Sequence, residues 1–273
     1  MRELSPLLVT SPSVRSGTTL LQRLLCSAGN ALVYGEEIGK DLELQLQIFA
    51  SRKLVYGHSR QRFTSDLQRV VQGGGDGDGW MLDLMPDIDG YLQALYDGAF
   101  AGLAHCRQHA ESAGRPIWGF KYPGWPPHLV RLLFDAMPGT HVICIVRDLA
   151  DTARSAKAWG AIGSEEQMQP FCAQWLLNLS FLRQWQQAHP VLMLSYEALV
   201  AEPGRAIAQL RGFLPFDAMD LAVLERRINN TAAAIDTRRA HGYIEPLALT
   251  VGEQSWVDAA MASAGQVGRQ AIG

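Results

Sequence analysis

With 273 residues, 48% apolar and 19% charged, the chain has the composition of a globular protein and the length to bury a substantial core, most simply as one domain over 1–273. A net charge of −3 and the lack of a long basic run exclude an electrostatic nucleic-acid binder. No run of about 18 apolar residues occurs, and the first apolar segment begins so close to Met1 that a secretory leader has no room, so a cytoplasmic setting with no membrane partner is expected.

The first element is the apolar run Leu7-Leu8-Val9, bounded by Pro6 and Pro12, which reads as a buried parallel strand. Leu20, Leu21, Leu24 and Leu25 then recur at helical spacing, so residues 11–19 form a strand-to-helix turn. Gly17 permits a tight turn there, and the first N–H groups of the new helix lack intrahelical acceptors, which makes the turn an anion site. An ATP- or GTP-hydrolysing P-loop would carry a lysine directly after its last glycine. Here Thr18-Thr19 follow Gly17, Pro12 stands at the first glycine position, and the nearby cation is Arg15.

The segment Arg15-Ser16-Gly17-Thr18-Thr19 resembles the 5′-phosphosulfate loop of sulfotransferases that use 3′-phosphoadenosine-5′-phosphosulfate (PAPS). That resemblance implies an α/β, P-loop-like three-layer domain with a central parallel sheet of about five strands. It assigns donor binding to Arg15, Ser16, Gly17, Thr18 and Thr19, with Arg15 also acting on the transferring group.

Next in the chain, Ala31–Tyr34 reads as a short strand leading into Gly35-Glu36-Glu37, and 38–53 as a helix. Two carboxylates at a helix start ordinarily complement the helix dipole. The triplet also resembles the Gly-Glu-Glu of tyrosylprotein sulfotransferases, offset by about one residue, whose second glutamate is the catalytic base. The resemblance assigns that role to Glu37, with Glu36 as the local alternative. Residues 60–72 read as another helix, 73–79 as a flexible glycine-rich connector, and Asp87–Ala113 as one long helix with Tyr91, Leu95, Ala99 and Leu103 on its core face.

Residues 115–123 carry a second buried strand ending at Lys121, before a helix that Pro126-Pro127 can start. By the resemblance, Lys121 stands at the transferring sulfuryl group. Cytosolic sulfotransferases carry a catalytic histidine two residues later, where this chain has Pro123, so a carboxylate base is favoured. His141–Val146 is a third strand, with Arg147-Asp148 at its end and a helix from Leu149 to Trp159. Arg147 with Ser155 resembles the family's 3′-phosphate motif. A helix over 165–189 shows an apolar stripe of Phe171, Trp175, Leu179 and Leu182, and Val191–Leu194 is the next strand. The following Tyr196-Glu197 resembles a segment that brings a tyrosine, here Tyr196, near the adenine or ribose.

A further helix spans 203–214, and beyond about 215 no clear pattern remains. Arg238 or Arg239 is a candidate for closing over the 3′-phosphate, while Gln254 and Ser255 stand where tyrosylprotein sulfotransferases carry a lysine before a C-terminal tryptophan. The four cysteines are widely spaced and read as reduced structural thiols; no metal cluster is evident, so none is assigned. The expected acceptor is a small molecule or a peptide, with Trp118, Tyr122, Trp125 and Trp159 as candidates for an aromatic pocket. Two other classes compete with this reading. A P-loop kinase or ATPase predicts magnesium-dependent ATP turnover, and a non-catalytic PAPS-binding module predicts binding without transfer.

Overall fold

The structure is a computed structural model and describes residues 4–73, 84–225 and 245–270. Five strands form one all-parallel sheet: β1 (Leu7–Thr10), β2 (Ala31–Tyr34), β3 (Ile117–Lys121), β4 (His141–Val146) and β5 (Val191–Ser195), in the order β2-β3-β1-β4-β5. The chain fills one side of β1 with β2 and β3 and then crosses to the other with β4 and β5. The strand order therefore reverses at β1, and in open α/β sheets such a reversal opens a crevice at the carboxyl ends of the strands. Val9 lies opposite Lys121 on one side and Ile143 on the other, so the segments that follow β1, β3 and β4 emerge side by side.

Helices cover both faces of the sheet. On one, α1 (Thr18–Ser27), α8 (Tyr196–Ala201) and α9 (Pro203–Phe213) bury Leu21, Leu24, Leu25, Leu199 and Leu210 against Leu7, Val9, Ile143 and Ile145. On the other, α2 (Glu36–Val71), α4 (Ala101–Ser112), α5 (Pro127–Ala136) and α7 (Glu165–Trp185) pack Leu42, Leu103, Leu129 and Leu182 on Leu8, Phe120, Val142 and Cys144. Alternation along β1 and β4 thus feeds two separate cores, the pattern required of strands buried on both sides. A third cluster joins α6 (Leu149–Trp159) and α7 to a C-terminal helix, α10 (Val251–Gln270). Arg115, just before β3, donates from one guanidinium nitrogen to the carbonyls of Cys26, Ala28 and Ala31, tying the end of α1 to the start of β2.

The largest differences from the sequence expectation are three. The expected helices over 38–53 and 60–72 are one continuous α2, because Tyr56 packs edge-on against Phe63 and Tyr91, and Arg60 pairs with Asp89 of α3 (Ile88–Ala99) across the stretch around Gly57. Conversely, the expected long helix over 87–113 breaks at Phe100, whose backbone leaves the helical region (φ −105°, ψ 17°) as its ring buries between Phe49 and Tyr96. Gly98 just before it weakens the helix at that point. The third difference is α10, unanticipated because its apolar face is made largely of alanine: Val257, Ala260 and Ala264 are buried. Of the glycine-rich connector, 74–79 lie outside the described residues, as do Arg238 and Arg239. Among the described residues no helix is long and apolar enough to cross a membrane, and no group of three or more side chains is arranged to hold a metal ion.

All four cysteines are free. Burial raises the Cys144 thiol far out of the titrating range and the Cys172 thiol to about 11, the inert behaviour of packed sulfur.

Candidate active site

A cleft of about 480 Å³ opens at the carboxyl edge of the sheet. Its floor is the turn between β1 and α1. Arg15 and Gly17 both take positive φ, 69° and 95°, so the chain doubles back before Gly17 becomes the N-cap of α1. The turn is braced from within: Ser11 and Ser16 both donate to the carbonyl of Ser13, at 2.6 and 3.0 Å, and Ser16 is fully buried. Lateral bonds tie it to the segment after β3, with Thr10 Oγ1 donating to the Tyr122 carbonyl (2.7 Å) and Gly124 N–H to the Ser11 carbonyl (2.9 Å). Held this way, the N-terminal end of α1, with Thr18 and Thr19 beside it, faces the cleft.

Arg147, at the end of β4, reaches the same turn. It donates to the Arg15 carbonyl (3.4 Å), and its guanidinium lies 4.9 Å from the centre of the Tyr196 ring. Neither neighbouring carboxylate pairs with it: Asp148 caps α6 by accepting from Asp151 N–H, and Asp151 pairs with Arg154. Ser155 is buried on α6 and accepts from Arg15 Nε at 3.3 Å, while the Arg15 guanidinium also lies 4.8 Å from the centre of the Trp159 ring. Arg15 therefore bridges the turn and the Arg147–Ser155 pair, and all of them line one cleft with Tyr196 and Glu36.

The third group comes from β3. Lys121 is 7% exposed, with its ammonium 3.0 Å from Thr19 Oγ1 and 2.7 Å from Glu36 Oε1. A buried ammonium needs such partners. The expected base, Glu37, points elsewhere: it pairs with Lys40 at 2.6 Å and its side chain is 82% exposed. The cause is the position of the helix start. With Gly35 as N-cap, Glu36 and Glu37 are the first two residues of α2 and project about 100° apart, so only one can face Lys121. The carboxylate of Glu37 raises the Lys40 pKa by hydrogen bonding, an exposed pair of the kind that contributes little.

The sequence from residue 6 to 220 matches the profile of the sulfotransferase family. The chain belongs to that family. None of the curated protein sequences matches it. Among solved structures, the sulfotransferase domain from the curacin biosynthetic pathway superposes on this sulfotransferase with a TM-score of 0.50 at 15% identity, covering 94% of this chain and 98% of that one. The sulfotransferase domain of the Synechococcus PCC 7002 olefin synthase gives 0.48 at 15%, with 94% of each chain covered. Sulfotransferase STF9 from Mycobacterium avium gives 0.42 at 13%, with 100% of this chain and 77% of that one covered. At such identities the likeness speaks to the fold alone.

Two further residues brace the sulfotransferase cleft, neither of them assigned a role there from the sequence. Asn178, fully buried on α7, donates to the carbonyls of Pro12 (2.8 Å) and Gly124 (3.4 Å), fastening the turn from beneath. Glu197 accepts from Asp148 N–H and Ser195 Oγ, locking the start of α8 to the end of β4; burial pushes its pKa up, but these bonds and Arg147 outweigh it and hold it below the ordinary value. Of the four candidate aromatic residues, Trp118 and Trp125 belong to the core and Tyr122 packs against Gly39 of α2, which leaves Trp159 lining the cleft.

Gly17 carries a further expectation. A methyl there would meet the Tyr196 ring, and at φ 95° any L side chain is strained. Gly17→Ala should cost about 1–2 kcal/mol from the left-handed conformation alone, displace Tyr196 and weaken nucleotide binding. Denaturant unfolding with ligand titration checks this; wild-type stability and affinity would contradict it.

Proposed function

We infer that the chain moves a sulfuryl group from PAPS to a hydroxyl or amine of a small-molecule or peptide acceptor, with Glu36 as general base in place of Glu37. The residues fit the donor. Two anion-receptive ends, the N-terminus of α1 and the Arg147–Ser155 pair, open on one cleft and are joined by Arg15, and the volume is that of an ordinary ligand site. When bound, PAPS supplies a sulfuryl group whose bond to the 5′-phosphate breaks as the acceptor attacks in line.

Each residue then has a task. N–H groups of the turn, Arg15 and the hydroxyls of Thr18 and Thr19 hold the 5′ end. Arg147 and Ser155 take the 3′-phosphate, and Tyr196, packed between Gly17 and Arg147, offers a face to the base or ribose. Lys121 stabilises charge gathering on the bridging oxygen, an electrostatic contribution that positioning makes effective. Glu36 accepts the acceptor proton at its carboxylate. Pro123 in the position of the histidine of cytosolic sulfotransferases, together with the Gly35-Glu36-Glu37 resemblance, supports a carboxylate in this role.

The single observation carrying this reading is the Lys121 ammonium, which contacts a hydroxyl of the anion turn and a carboxylate on the cleft wall at once. A cation touching both groups supports a site at which a leaving oxygen and an attacking group meet. Thermal unfolding with 3′-phosphoadenosine 5′-phosphate (PAP), ADP and ATP tests it, followed by labelled-sulfate transfer from PAPS to a panel of phenols, alcohols and amines. PAP at a hundredfold its Kd should stabilise the chain by about 2.7 kcal/mol, with ADP and ATP well behind. Preferential, magnesium-dependent stabilisation by ATP would overturn the reading in favour of a kinase or ATPase. PAPS binding without transfer would leave a binding module.

A further inference from the structure

The α10 helix lies beyond residue 220, where the family match ends, yet it is fastened to the helix that carries Ser155. Ser155 and Lys157 are two residues apart on α6 and so face in nearly opposite directions. Ser155 meets Arg15 on the cleft side; Lys157 turns outward to α10. Its ammonium lies 2.7 Å from Glu253 Oε2 and 3.2 Å from the Ala248 carbonyl. The Glu253 side chain is 3% exposed, and the hydrogen bond from Lys157 is the chief cause that holds its pKa low.

The same carboxylate caps α10, accepting from Thr250 N–H at 2.7 Å while Thr250 Oγ1 accepts from Glu253 N–H at 3.1 Å, a reciprocal capping box. Thr250 also donates to Glu165 at the start of α7, and Leu247 N–H to the Arg154 carbonyl on α6 itself. Beneath these ties, Val257, Ala260 and Ala264 share one apolar cluster with Met168, Cys172 and Trp175 of α7, along which α10 mainly lies, and with Leu149, Ala153 and Ala156 of α6. One side of α6 thus serves the cleft through Ser155 and Trp159, and the other is pinned by a segment that ends in a buried ion pair.

We propose that Lys157 and Glu253 are positioning residues for the 3′-phosphate: their ion pair clamps α10 onto α6 and fixes Ser155 and Trp159 against Arg15, so that the C-terminal helix sets how strongly PAP is preferred over 5′-AMP. The proposal rests on the donor reading above. The Lys157–Glu253 pair fixes one orientation of the two side chains, and without it α6 loses a direct tie to the start of α10.

The test compares the wild type with Glu253→Gln, Lys157→Arg and the double variant Lys157→Met/Glu253→Leu, measuring Kd for PAP and for 5′-AMP and transfer kinetics. In Glu253→Gln the Kd for PAP should rise about tenfold, that for 5′-AMP should stay within about twofold, and KM for PAPS should rise while kcat at saturating donor is kept. Lys157→Arg, which retains the pair, should hold the wild-type ratio. If Glu253→Gln fails to fold, the double variant, which leaves no unpaired buried charge, should give the same selective loss. A folded Glu253→Gln or double variant with the wild-type PAP to 5′-AMP ratio, or one that weakens both nucleotides equally, overturns the clamp. A wild type with no preference for PAP overturns the donor reading beneath it, so the two failures are distinguishable.

Discussion

Glu36→Ala is expected to lower kcat by about two to four orders of magnitude, the usual range for a lost general base, while Glu37→Ala stays within a few-fold of the wild type. The two variants remove the same carboxylate from adjacent residues, so net charge and the acidic complement of the α2 dipole change alike. Only orientation differs: Glu36 pairs with Lys121 and lines the cleft, whereas Glu37 pairs with Lys40 in solvent. Removing Glu36 also strands a buried ammonium, so Glu36→Ala should lose stability as well. Glu36→Gln separates the two effects, because its amide oxygen still accepts from Lys121 but cannot take a proton. The measurement is labelled-sulfate transfer from PAPS at saturating donor, with unfolding of each variant recorded alongside. Turnover of Glu36→Gln within a few-fold of the wild type would remove the residue as base. A large loss in Glu37→Ala alone would return the role to Glu37.

The strands that build the cleft were legible because each is a short apolar run ending in a polar or charged residue, and five of these fall in parallel with the turn, Lys121 and Arg147 at the same edge. What the sequence could not fix was angle. Whether Glu36 or Glu37 faces inward depends on which residue is the first of α2, and a one-residue shift in that boundary rotates the whole helix face by about 100°. Helix continuity across Gly57 and the break at Phe100 were equally hidden, since both are decided by rings on other elements: Tyr91 in one case, Phe49 in the other. Asn178 illustrates a third limit. Its contacts with Pro12 and Gly124 join residues 166 and 54 positions apart, and no local pattern marks a side chain whose partners are main-chain carbonyls.

Arg147→Ala should weaken PAP binding by about ten- to a hundredfold, the equivalent of the 1.5–3 kcal/mol typical of a hydrogen bond to a charged group, and leave 5′-AMP within about threefold. The discrimination follows from where the guanidinium sits. It approaches the Arg15 carbonyl and the Tyr196 face, beyond the turn proposed to receive the 5′ end, and Ser155 lies on the same side, reached through Arg15 Nε. A ligand without a 3′-phosphate offers it no anion. Tyr196 loses its cationic neighbour in the variant, which accounts for a small effect on 5′-AMP but not for a large one. Arg147→Lys should recover part of the loss, because an ammonium restores the charge without the planar fork that matches phosphate oxygens. Isothermal titration at two salt concentrations checks all three proteins: the wild-type preference for PAP should shrink as salt rises, and that of Arg147→Ala should be nearly insensitive. Equal losses for PAP and 5′-AMP would mean that Arg147 supports the turn as a whole and not one phosphate, and the assignment of two separate anion pockets to a single nucleotide would then fail.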